Sequence, residues 1–116
     1  MIVDCDTNNY GCDGGWQTYA SQYYATYGAI YESEYPYASG DSGVSYTCQK
    51  SGKSYPFKLT SPGYSYISST YAAFKAGIQK EAINISFAVG DDFMYYSSGI
   101  YGTGTVYCDS YLNHAM

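Results

Sequence analysis

The hydrophobic period changes along this chain, and that change limits the folds open to it. In residues 16–27, Trp16, Tyr19, Ala20, Tyr23 and Tyr27 recur at i, i+3, i+4, i+7 and i+11. That is the spacing of one helical face. Gly28 follows where a C-terminal cap is expected. In residues 83–89 the period drops to two: Ile83, Ile85, Phe87 and Val89 alternate with Asn84, Ser86 and Ala88. Such alternation predicts a half-buried strand. A second helix is predicted from Tyr71, Phe74 and Ile78, with N-cap oxygens from Ser68, Ser69 and Thr70 and a weak point at Gly77. A short strand is predicted at 64–67 and one helical turn at 91–96.

Loop chemistry fills the rest. Residues 6–15 run Asp-Thr-Asn-Asn and end in Gly14-Gly15. Residues 38–58 are rich in Ser, Gly and Lys and read as a long surface loop, while Pro56 and Pro62 argue against a central strand. A loop is predicted at 99–104. The order of elements indicates an α+β protein rather than a parallel α/β sheet.

Eighteen of the 116 residues are tyrosine. Tyrosine pairs an apolar ring with a polar hydroxyl, so it suits half-buried positions, and the helical stripe is expected to bury many of them. The net charge is −5, with acidic residues outnumbering basic ones ten to five. Nucleic-acid binding needs a basic stripe that this chain lacks. A polybasic membrane anchor is excluded for the same reason. No apolar run reaches the roughly 20 residues of a membrane helix, and no basic, apolar leader follows Met1.

The four cysteines, at 5, 12, 48 and 108, form no C-x-x-C pair, which argues against structural zinc. Their even number fits disulfides in an oxidising compartment, and their positions leave three connectivities open. His114 is the only histidine. Histidine suits proton transfer near neutral pH, though a lone one is weak evidence of a site. Gly14-Gly15 would let backbone approach a ligand closely; a tight turn before a helix is the plainer reading. A phosphate loop is ruled out because its lysine and hydroxyl are missing. Asn84-Ile85-Ser86 matches the N-glycosylation pattern, but within a predicted strand.

Taken in order, the motifs resemble a known family. Ile2-Val3-Asp4-Cys5 precedes Gly11-Cys12-Asp13-Gly14-Gly15, similar to the "LVDC…GCxGG" segment of papain-like cysteine endopeptidases, cathepsins included. The first helix follows, then Glu34-Tyr35-Pro36-Tyr37 and Tyr46-Thr47-Cys48. Next come the second helix, the alternating strand, the segment from Phe93 through Ser98-Gly99-Ile100-Tyr101, and Leu112-Asn113-His114-Ala115. The series covers essentially the whole chain.

This resemblance implies a partial papain-like fold: the end of the helical domain over about 1–63 and the start of the β domain over 64–116. It implies that His114 is the catalytic histidine, holding a thiolate and later protonating the leaving amine. Gly15, beside Gly14, would pair with the extended main chain of a peptide or protein substrate. Trp16, Ser86 and Ala115 would wall the pocket for the second residue before the scissile bond, and Asn113 stands beside the histidine. Cys5 and Cys48 match a family disulfide. Cys12 and Cys108 match cysteines whose partners lie outside these residues. No cofactor or metal is implied. An inhibitory propeptide and a lysosomal, vacuolar or secreted location are.

The family's nucleophile lies in a "CGSCW"-like segment, and these 116 residues contain none. The chain as it stands is therefore expected to be a catalytically inactive piece of a longer peptidase, with uncovered apolar faces and poor solubility. Two other readings are a non-catalytic peptide-binding relative and a tyrosine-rich module that stacks rings on sugars.

Overall fold

Helix α2, Gln17–Tyr27, is the longest helix among the residues that the computed structural model describes, 1–101 and 111–116. Its boundaries agree with the helical period. Trp16 is the N-cap residue, with extended backbone, and the N–H of Gly28 closes the last turn on Tyr24 C=O. The described residues form two compact units, Met1–Ser68 and Ser69–Met116.

In the first unit, α1 (Ile2–Cys5) is a single turn, and a 3-10 turn follows at Gly11–Asp13. The core is small: Cys5, Tyr23 and Tyr35 are buried, with Met1, Ile2, Tyr24, Ile30 and Cys48 packed around them. A disulfide joins Cys5 to Cys48. Beside it, the Tyr35 hydroxyl donates to Asp4 Oδ2 at 3.1 Å and accepts from Gln49 N–H at 3.1 Å. Asp4 Oδ1 accepts from Tyr46 N–H at 2.8 Å. One carboxylate thus ties α1 to two distant stretches of chain.

Two expectations for this unit need correction. The tyrosine stripe of α2 is mostly uncovered: Tyr23 is 6% exposed, but Tyr27 is 48% and Trp16 61%. A unit with so few elements cannot cover a stripe five residues long; the Lys50 ammonium, 3.6 Å from the Tyr27 ring centre, shields part of it. The stretch 38–58 is not all loop. It contains the one-turn helix α3, Ser39–Ser42, and leads into a bridge in which Ala29 N–H donates to Phe57 C=O at 2.7 Å.

The predicted strand at 64–67 is not formed, and no strand lies beside it among the described residues. Its Tyr64 hydroxyl instead accepts from Gln22 Nε2 of α2 at 3.5 Å.

In the second unit, α4 (Tyr71–Ile78) begins as its sequence predicts, with Thr70 Oγ1 accepting from Ala73 N–H at 3.2 Å. Strands β1 (Ser86–Phe87) and β2 (His114–Ala115) pair antiparallel, Ser86 opposite Ala115 and Phe87 opposite His114. Bonds between Ile85 and Met116, at 2.8 and 3.0 Å, extend the pairing by one rung. The alternating segment 83–89 is thus much shorter as a strand than its period predicts, because at Val89 a side chain replaces the neighbouring main chain. Asn84 lies outside β1 and is exposed, so the strand argument against its modification does not hold. The 3-10 turn Asp91–Tyr95 matches the predicted turn at 91–96 and sets Phe93 4.8 Å from the Tyr101 ring and 5.2 Å from Phe87.

No helix in the described residues is long and apolar enough to cross a membrane.

Candidate functional site

The first unit presents Gly14-Gly15-Trp16 at the start of α2. Gly14 has φ +96, a conformation that side-chain-bearing residues rarely adopt. Gly15 does not have positive φ, so its lack of a side chain has another cause. A Cβ there would overlap the Asn9 carboxamide and lie 2.8 Å from Asn9 Cβ. Asn9 Oδ1 accepts from Trp16 N–H at 2.7 Å, and Asn9 Nδ2 donates to Asp6 Oδ2 at 2.7 Å. Asp6 is 4% exposed and its other oxygen accepts from Asn8 N–H at 3.1 Å. The loop 6–15 is therefore a braced turn. Beside it is a cavity of about 200 Å³ lined by Ile2, Val3, Asn9, Gly15, Trp16 and Ala20, among others.

Gly15 N–H and C=O bond to no group among the described residues, and the residue is exposed. A free donor and acceptor on one exposed residue offer an edge to an extended peptide.

The second unit holds the other candidates. Ser86 and Ala115 are direct cross-strand partners, so their side chains share one face of the two-stranded ladder. Phe87 and His114 share the other. His114, Asn113 and Ala115 are all exposed. Exposure leaves the His114 imidazole able to exchange protons with a reactant. Asn113 is bonded to Val89 through its side chain and to Phe87 through its main-chain N–H at 3.2 Å.

The structure thus brings Gly14, Gly15 and Trp16 together in one unit and Ser86, Asn113, His114 and Ala115 together in the other. Cys12 is free and exposed, 4.0 Å from Ser45 Oγ; Cys108 lies outside the described residues. No group of three or more potential metal ligands occurs among the described residues. Burial, with a smaller opposing pull from the Gln49 N–H, pushes the Tyr35 phenol up. That helps keep it protonated as a donor to Asp4.

A profile for the papain family cysteine proteases matches residues 1–116. This chain belongs to that family.

Among its relatives, the senescence-specific cysteine protease of Arabidopsis thaliana is 37% identical over all of this chain and 32% of its own length. Chymopapain of Carica papaya is 32% identical over 99% of this chain and 31% of its own length. A cysteine protease of Carica candamarcensis, solved in complex with E-64, superposes with a TM-score of 0.80 at 30% identity, covering 98% of this chain and 51% of that one. The papain-family chain thus spans about a third of these curated relatives and about half of the solved protein. The mixed helix and strand of its units is a partial papain-like fold.

Asn9 and Asp6 were not singled out by sequence reasoning in this papain-family chain. Their signal was present as Asp and Asn three residues apart before a Gly-Gly pair, a pattern of side chains that bond nearby backbone. It read only as loop-forming because nothing in the local sequence says which backbone they hold.

Proposed function

We propose that these residues are the peptide groove and histidine of a thiol endopeptidase, a cysteine supplied by residues other than these being the nucleophile. The observation that carries the reading is the pair of main-chain groups on exposed Gly15 that bond to nothing among the described residues, within a chain of this family. Gly15, with Trp16 beside it in the first unit, pairs with an extended substrate, and the family resemblance assigns Ser86 and Ala115 of the second unit to contact with the residue two before the scissile bond. An aromatic ring at Trp16, and small residues at Ser86 and Ala115, each favour an apolar or aromatic substrate side chain.

In this reading His114 holds the nucleophile as thiolate. The sulfur attacks the scissile carbonyl, the imidazolium gives its proton to the leaving amine, and water then hydrolyses the thioester. Asn113 positions the histidine strand. Residues 1–63 belong to the helical domain of the parent and 64–116 to its β domain. The Cys5–Cys48 bond fits an oxidising location, lysosomal, vacuolar or secreted. A propeptide that fills the same groove is part of the proposal.

In this reading the 116 residues, which contain no CGSCW-like segment, do not cleave peptides by themselves. The test is made on the complete coding sequence. The expressed full-length protein should hydrolyse a fluorogenic peptide, and His114→Ala should lower kcat/KM by at least about 100-fold. Undiminished turnover without the imidazole would remove the assignment. A second reading, a peptide binder without catalysis, is favoured by the same Gly15 edge, which needs no nucleophile. It predicts peptide binding by a full-length protein that lacks a CGSCW-like segment and does not turn over.

A further inference from the structure

The turn at residues 6–16 is wired so that one carboxamide controls the peptide edge. Asp6 is buried and its carboxylate can only accept, so the group facing it at 2.7 Å must be the Asn9 NH₂. That fixes the carboxamide's orientation and leaves Oδ1 to accept from Trp16 N–H. The same NH₂ lies 3.5 Å from Trp16 C=O. Both main-chain groups of Trp16 therefore face Asn9, while those of Gly15 bond to nothing among the described residues. The three atoms nearest a Cβ at Gly15 all belong to Asn9.

We propose that Asn9, oriented by buried Asp6, is the positioning residue of the peptide edge. Its carboxamide takes Trp16 N–H out of competition for the ligand, leaves Gly15 as the pairing residue, and makes glycine obligatory at 15 by filling the space beside it. The demand for glycine comes from inside the turn. It does not depend on how closely a ligand approaches. The role of the edge rests on the peptide-groove reading; the clamp itself does not.

The test uses the whole oxidised chain. Trp16 amide protection against hydrogen exchange should fall by about tenfold or more in Asn9→Ala, while the Gly28 amide at the far end of α2 keeps its protection. Asn9→Asp keeps an acceptor for Trp16 but sets a second carboxylate against Asp6. Its Trp16 protection factor should be low at neutral pH and recover in acid, where one proton is shared between the two groups. A residue that only fills space would show no such pH profile. Gly15→Ala should lower the melting temperature in the parent chain and do so far less in an Asn9→Ala background. Trp16 protection that ignores Asn9, or a Gly15→Ala penalty equal in both backgrounds, overturns the clamp. A capped tripeptide with Phe at its second position, titrated against the chain, separates the two claims. Failure to shift the Gly15 amide defeats the groove reading and leaves exchange to judge the clamp. Equal binding by the parent and Asn9→Ala defeats the positioning role and leaves the groove standing.

Discussion

The Asn113 carboxamide binds the main chain of Val89 on both sides: Oδ1 accepts from Val89 N–H at 2.8 Å and Nδ2 donates to Val89 C=O at 3.0 Å. A side chain thus imitates the next strand of a ladder, one residue before His114. Asn113→Ala should destabilise the unit by about 1–2 kcal/mol, two exposed hydrogen bonds each contributing up to about 1. It should also speed exchange of the Val89 amide. Asn113→Asp keeps the acceptor and loses the donor, so it should fall between the two in a urea titration.

The Cys5–Cys48 bond closes a loop with a sequence separation of 43. On the chain-entropy relation that contributes about 4 kcal/mol. With so small a buried core around it, Cys48→Ser should unfold most of Met1–Ser68. Loss of dispersed amide signals from that unit in an NMR spectrum would show it.

Tyr23 presents a different case. Its hydroxyl is buried with no hydrogen-bond partner among the described residues. Burial, then the neighbouring Tyr55, Tyr27, Asp6 and Tyr35, push its pKa from 10.0 up to about 12. Below the unfolded value both states keep the proton and stability is unaffected. As pH rises from 10.0 toward about 12, the unfolded chain releases its proton first and folding stability is lost. Tyr23→Phe should be more stable than the parent by about 1 kcal/mol at neutral pH. It should also lose less stability over that alkaline interval, as measured by urea midpoints at each pH.

Gly63 has φ +90, and a Cβ there would overlap the Ser21 carbonyl oxygen of α2 and lie 3.1 Å from Ala25 Cβ. Both backbone strain and a rigid neighbour oppose a side chain. Gly63→Ala should lower stability by about 2–3 kcal/mol. Tyr66→Ala, three residues on at a site 84% exposed, should change it by no more than about 0.5 kcal/mol. Thermal melts of the two variants side by side check the contrast.

How much of this was legible in the residues differs from element to element. The helix ending before Gly28 and the Thr70 cap of α4 were readable, because spacing and capping act over a few residues. The run 83–89 predicted a long strand, yet β1 spans only Ser86–Phe87, with one further rung at Ile85. A period of two records a preference for extended backbone, while a strand needs a partner, and at Val89 the partner is a side chain. The α2 stripe likewise marked the apolar face without saying how much would be covered.

By itself, the sequence determined the α+β class, the family through its ordered motifs, and the residue types able to move a proton or approach a peptide. Those are properties of local spacing and of chemical identity. Only the tertiary structure decided that Asn113 closes on Val89 and that the space beside Gly15 is filled by Asn9. Each of these depends on groups meeting at a few ångströms in a folded chain, and residue order alone does not encode which of many polar atoms will meet.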